Sequence, residues 1–234
     1  PKELIGGKTA TWVGNVTRPT MTVYSPSGKN AGVAVVVFPG GGYQGLAIDL
    51  EGTEVCDWLL PRGITCVLLK YRVTDVGPYP KSGPYPESPM ALEDAQRTMG
   101  LVRLHAAEWH IDPHKIGVLG FSAGGHVAAS IATRFAANVY APIDAADRGD
   151  ARPSFAGLMY PVITMGEGAH PGSVNKLLGE TPSSQSVADW SLERHVAADA
   201  APSFICLAAD DEIVPPFQNG IAMFGALRGA SIPA

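Results

Sequence analysis

Charge is scarce in this chain: Asp, Glu, Lys and Arg make up only 17% of its 234 residues, and no basic run occurs. With 17 Lys and Arg against 22 Asp and Glu the net charge is −5, so the footprint needed to hold nucleic acid or an anionic membrane surface is missing. No apolar run reaches the roughly 18 residues of a membrane-spanning helix, and no charged-then-apolar leader opens the chain. Cysteine is limited to Cys56, Cys66 and Cys206, an odd number, far apart and each in an apolar stretch. They read as buried thiols rather than as a disulfide framework or metal ligands. No grouping of His, Cys and carboxylates has metal spacing, so neither a metal nor another cofactor is expected. What remains is a small neutral substrate as the favoured partner.

With 46% hydrophobic residues, the chain can bury a sizeable core and fits one α/β domain spanning 1–234. Apolar, β-branched runs alternate with helical patterns, which predicts parallel strands joined by crossover helices. The predicted strands are Thr20 to Tyr24, Val33 to Phe38, Ile64 to Tyr71, Lys115 to Leu119, Phe155 to Tyr160 and Ser203 to Ala208, the first on an antiparallel edge. Ser88 is placed to cap a helix beginning at Pro89, with Leu92, Ala95, Met99 and Val102 on its buried side. Val127, Ala128, Ile131, Ala132 and Phe135 form the buried stripe of a second helix, and Phe217, Ile221, Phe224 and Leu227 that of a third. Residues 77–89 hold five prolines and repeat Gly-Pro-Tyr-Pro, which forces an extended loop. Tyr79 and Tyr85 in that loop either wall a pocket for a sugar or aromatic acyl group or simply pack the loop.

Three segments carry chemistry. Gly120-Phe121-Ser122-Ala123-Gly124 ends a strand and opens an Ala-rich helix, the pattern of a nucleophile elbow. Small neighbours at Gly120 and Gly124 let a sharp turn lift Ser122 toward substrate, and the helix N-terminus points its unpaired N–H groups at a developing oxyanion. Phe38-Pro39-Gly40-Gly41-Gly42-Tyr43 follows a buried strand and lacks the lysine of a phosphate loop. Acyl transfer needs at least two N–H donors on the oxyanion, and Gly41, Gly42 and Ala123 are the candidates. Asp210-Asp211-Glu212-Ile213-Val214-Pro215 follows another strand, on the face where the loops after parallel strands build a site. One of these carboxylates is expected to orient an imidazole. Asp49 and Glu51, near a helix start, are expected to interact with its dipole.

Together GFSAGGH, FPGGGY, LEDAQRTMGLVR, ARPSFAGLMYPVI and AADDEIVPP resemble the α/β-hydrolase esterases related to acetyl xylan esterases and bifunctional acetyl/feruloyl esterases. The likeness runs from about Thr20 to Ala234 with its motifs in order. It implies an α/β-hydrolase fold, a mostly parallel central sheet with helices on both faces, and a serine carboxylesterase acting on acetyl or similar small acyl esters, plausible substrates being polysaccharide esters. Ser122 would be the nucleophile, Asp211 the triad acid because it precedes Val214-Pro215, and Gly41, Gly42 and Ala123 the oxyanion donors. Asp210 is the alternative acid.

In this fold the triad histidine follows the acid in chain order, and no histidine follows Asp211. The segment that would supply a last strand and a Gly-Gly-His-Gly-like loop has no counterpart, so a C-terminally incomplete domain is expected. His105, His110 and His114 precede a strand that places them about 15 Å from Ser122, on the wrong face. His126 lies one turn past Ser122 and is expected to hold neighbouring loops, and His195 approaches the sheet from its amino end. His170 is the one serious internal candidate. Two further readings stay open: a peptidase or amidase with the same machinery, and a hydrolase-fold binding module that has lost its base.

Overall fold

The computed structural model describes residues 2–5, 8–73 and 88–234. Nine strands occur among them: β1 (Lys2–Ile5), β2 (Lys8–Gly14), β3 (Thr20–Tyr24), β4 (Val33–Phe38), β5 (Gly45–Ala47), β6 (Ile64–Lys70), β7 (Ile116–Phe121), β8 (Ala156–Met159) and β9 (Ser203–Cys206). The helices are α1 (Glu54–Leu59), α2 (Met90–Leu104), α3 (Ala123–Arg134), α4 (Pro171–Leu178), α5 (Ser184–Trp190) and α6 (Ala222–Gly229). The main sheet has the order β3-β6-β4-β7-β8-β9, and β1, β2 and β5 form a smaller one. Strand β3 runs antiparallel to β6, while the other pairs of the main sheet are parallel.

Strand β4 shows why the sequence folds this way. Its side chains alternate between faces: Ala34, Val36 and Phe38 join the larger cluster with residues of α2 and α3, while Val35 and Val37 pack with Cys56 and Leu59 of α1. A continuous apolar run is what a strand covered on both faces requires. Leu92, Ala95, Met99 and Val102 are buried on α2, as are Val127, Ala128, Ile131 and Ala132 on α3.

Four expectations need correction. Cys56 and Cys66 are not thiols but a disulfide, because α1 lies back over the start of β6 and brings their Cα atoms to 5.2 Å; Cys206 is free. Ser88 does not cap α2, which starts at Met90 with Pro89 in the cap position and no side-chain cap bond. The stripe on the last helix is buried only at Leu227: Phe217 is 72% exposed, Phe224 45% and Ile221 40%. Gly220, just before that helix, packs on Ile205 and Leu207 at β9, where Phe204 is also exposed and no strand pairs with the outer side of β9 among the described residues. Finally β1, β2 and β5 were not anticipated. Most of the proline-rich loop, including Tyr79 and Tyr85, lies outside the described residues.

Candidate active site

Ser122 joins β7 to α3 at φ 52° and ψ −118°, a backbone state that a side chain adopts only when its surroundings impose it. The surroundings here are hydrogen bonds. Ser122 N–H donates to the Met159 carbonyl at 3.0 Å, and the Ser122 carbonyl accepts from the N–H groups of His126 at 3.2 Å and Val162 at 3.0 Å. Both flanking glycines are sterically required. A Cβ at Gly120 would lie 2.0 Å from the Gly124 carbonyl oxygen, and one at Gly124 would lie 2.1 Å from that of Phe38. Ser122 itself remains partly exposed.

The glycine loop leaves β4 alongside the elbow. Gly41 and Gly42 have φ of 143° and 61°, values open to glycine and strained for other residues. The Gly41 carbonyl accepts from Gln44 N–H at 2.9 Å and Gly45 N–H at 3.3 Å, closing a tight turn. Trp12 of β2 buttresses that turn, its indole so close to Gly45 that a Cβ there would meet Nε1 at 2.2 Å. Among the described residues, the N–H groups of Gly41, Gly42 and Ala123 donate to no other group. Such uncommitted donors are what an anion-binding pocket needs.

His126 anchors the same loop from α3. Its Nε2 lies 2.9 Å from the Trp190 carbonyl, which can only accept, so Nε2 carries the proton and Nδ1 accepts from the Tyr43 hydroxyl at 2.7 Å. Full burial pushes its pKa down to about 4, so the ring is neutral. The expected holding role of His126 agrees with this arrangement.

Asp211 sits past β9, partly exposed, and its Oδ1 accepts from the N–H groups of Ile213 at 2.9 Å and Val214 at 2.8 Å. The turn that follows thus fixes the carboxylate. Asp210 is exposed. The Asp211 charge reaches His170, opposing the burial that lowers that ring's pKa. His170 nevertheless caps α4: its Nδ1 accepts from Ser173 N–H at 3.2 Å and lies 2.9 Å from the Ser173 hydroxyl. With Nδ1 occupied as an acceptor, the neutral ring holds its proton on Nε2 and cannot take another there. His105 pairs with Glu108, and His195 Nε2 bonds the Ala188 carbonyl. Among the described residues, no imidazole hydrogen-bonds the side chain of Ser122 or of Asp211.

Glu51 is the residue sequence reasoning misplaced. Instead of facing a helix dipole, its Oε2 accepts from Gly40 N–H at 2.7 Å and its Oε1 from the Tyr160 hydroxyl at 2.9 Å. Burial raises its pKa, and the two hydrogen bonds oppose the rise. Asp49 stays at the start of the helical turn Asp49–Thr53, as expected, accepting from Leu50 N–H at 2.7 Å and from Thr11 N–H at 2.8 Å with both oxygens. The only hint in the sequence was the presence of a carboxylate shortly after the glycine loop.

A parallel sheet, a strained serine between strand and helix, and an acid after a later strand define the α/β-hydrolase class. A family model described as BD-FAE matches residues 21–223. The chain belongs to that family. It is 32% identical over 210 residues to an acetylxylan esterase of Xylanibacter ruminicola, covering 88% of this chain and 38% of that protein. It is 35% identical over 199 residues to endo-1,4-beta-xylanase B of Butyrivibrio fibrisolvens, covering 85% of this chain and 30% of that one. The chain thus spans well under half the length of these curated relatives. Among solved structures, an acetyl ester-xyloside bifunctional hydrolase from Caldicellulosiruptor lactoaceticus superposes with a TM-score of 0.81 at 33% identity, covering 96% of this chain and 83% of that one.

Proposed function

We propose that the protein is a carboxylic ester hydrolase that removes acetyl or other small acyl groups, from carbohydrate esters above all, through an acyl-enzyme on Ser122. The observation that carries this reading is the strained Ser122 beside three uncommitted N–H donors. The names of the relatives, an acetylxylan esterase and an acetyl ester-xyloside hydrolase, support the substrate class.

Chemically, Ser122 Oγ attacks the ester carbonyl while its proton passes to a general base. The carbonyl oxygen becomes an oxyanion that the N–H groups of Gly41, Gly42 and Ala123 receive. The tetrahedral intermediate collapses, the C–O bond to the alcohol breaks, and the alcohol leaves with the proton. Water then attacks the acyl-serine by the same route and releases the acid. Asp211 is the carboxylate that orients the base and stabilises its charged form.

Hydrolysis of p-nitrophenyl acetate by the full-length protein tests this. Release of nitrophenol that disappears in Ser122→Ala is the expected result, and activity retained in that variant contradicts the nucleophile. A second reading, a hydrolase-fold binding module without catalysis, draws on the histidines being engaged elsewhere. It predicts a folded wild-type protein with no turnover and no reaction with a fluorophosphonate.

A further inference from the structure

Gly40 is buried, and a side chain there has no space: a Cβ would lie 2.6 Å from the Phe121 carbonyl oxygen, 2.7 Å from Glu51 Oε2 and 3.0 Å from Ser122 Cβ. The glycine loop, the elbow and the Glu51 carboxylate therefore meet at one point. The other Glu51 oxygen reaches Tyr160, whose backbone is held at φ 36° with its N–H donating to the Cys206 carbonyl at 2.6 Å. A left-handed conformation at a tyrosine persists only where contacts enforce it. Here it places the hydroxyl across the carboxyl ends of the strands, toward the loop that follows β4.

From this geometry we propose that Glu51 is a positioning residue for ester hydrolysis, its carboxylate tying Gly40 to Tyr160 and so fixing the oxyanion donors against Ser122. The inference rests on the esterase reading above. Glu51 touches no reacting atom in it. Both oxygens are committed to the scaffold, through hydrogen bonds to an acceptor that is strong when ionised. Removing the carboxylate leaves the buried Gly40 N–H without a partner, and the penalty for that falls on the residue immediately before the donors at Gly41 and Gly42. Pro39, one residue earlier, is already pinned by the Tyr71 hydroxyl, which donates to its carbonyl at 2.7 Å. Loss of Glu51 thus loosens the loop at Gly40, whose carbonyl still accepts from Ala47 N–H at 3.0 Å, while the strand side stays fixed.

The test is steady-state hydrolysis of p-nitrophenyl acetate by the full-length protein. Wild type and Ser122→Ala are measured first, and an inactive wild type defeats the esterase reading itself. With an active wild type, Glu51→Ala is expected to lower kcat by about tenfold or more with KM within about twofold, since a small misplacement of donors acts on the transition state. Glu51→Gln can accept from Gly40 with its oxygen and donate to the Tyr160 oxygen with its amide, and should keep about a third of kcat or better. Wild-type kcat in Glu51→Ala, a loss in KM alone, or equal loss in the Gln and Ala variants overturns the proposal. If Glu51→Ala fails to fold by thermal melting, Tyr160→Phe removes one bond from the far end. A kcat lowered about threefold then supports the brace, and an unchanged kcat overturns it.

Discussion

The Tyr43 hydroxyl and His126 Nδ1 stand 2.7 Å apart in the interior, joining the end of the glycine loop to the helix that begins at the elbow. The phenol donates, because the other ring nitrogen already gives its proton to the Trp190 carbonyl. Tyr43 is held at φ 60° and is 1% exposed, so this bond sets the exit of the loop as Glu51 sets its entry.

Tyr43→Phe keeps the ring and removes the donor, leaving a buried imidazole nitrogen unsatisfied. The expected loss is about 1 to 3 kcal/mol of stability, read as a lower denaturant midpoint with an unchanged slope. A midpoint equal to that of wild type contradicts the assigned donor.

The same histidine makes stability depend on pH. Its folded pKa of about 4 lies below the ordinary value of 6.5, so protons bind the unfolded chain first as pH falls. The stabilisation is present above 6.5 and is lost as pH drops from there through about 4, a change on the order of 3 kcal/mol. Urea midpoints at neutral pH and near pH 4.5, compared with His126→Asn, isolate this contribution from the carboxylates. The variant should show the shallower dependence, and equal slopes would show that the ring does not govern it.

Two glycines should respond oppositely to alanine. At Gly124 the new methyl would lie 2.1 Å from the Phe38 carbonyl oxygen and 2.6 Å from that of Pro39, both backbone atoms that cannot yield cheaply. Gly124→Ala is expected to lose about 3 kcal/mol and to disturb the elbow. Gly225 has nothing within 4 Å and lies inside α6, so Gly225→Ala should gain up to about 1 kcal/mol. Chemical denaturation of the two variants checks both signs.

Asp94, 4% exposed on its side chain, pairs with Arg72 at 2.7 Å and also accepts its backbone N–H at 2.8 Å. This ties the end of β6 to the start of α2. Asp94→Ala leaves a half-buried guanidinium with Glu93 as its remaining carboxylate partner, at 2.8 Å. A loss of about 3 kcal/mol is expected by thermal or chemical denaturation, and a loss below about 1 kcal/mol would place the pair among weak surface bridges.

Much of the fold was legible because its sheet is covered on both faces. Val33 to Phe38 needs no alternation to read as a strand, and its bounds match the observed β4. Strand β2 carries Lys, Thr and Gly where a strand pattern expects a clear alternation, β5 is only three residues long, and pairing with each other and, for β2, with β1 makes them strands. Periodicity places Phe217, Ile221 and Phe224 on one helix face but cannot say what packs there, and they are exposed. Cys56 and Cys66 are 10 residues apart in elements whose docking no spacing rule specifies. At the site, Ser122 and its glycines announce themselves because a sharp turn has strict steric needs. Glu51 and Tyr160 do not, since their meeting depends on side chains from positions 109 residues apart.

The most direct measurement is covalent labelling of the full-length protein by a fluorophosphonate, followed by peptide mass spectrometry. A serine held at φ 52° beside uncommitted N–H donors should carry the phosphonyl group, with labelling at Ser122 and none in Ser122→Ala. A folded protein that stays unlabelled, or a label on another residue, would contradict a nucleophile at the elbow.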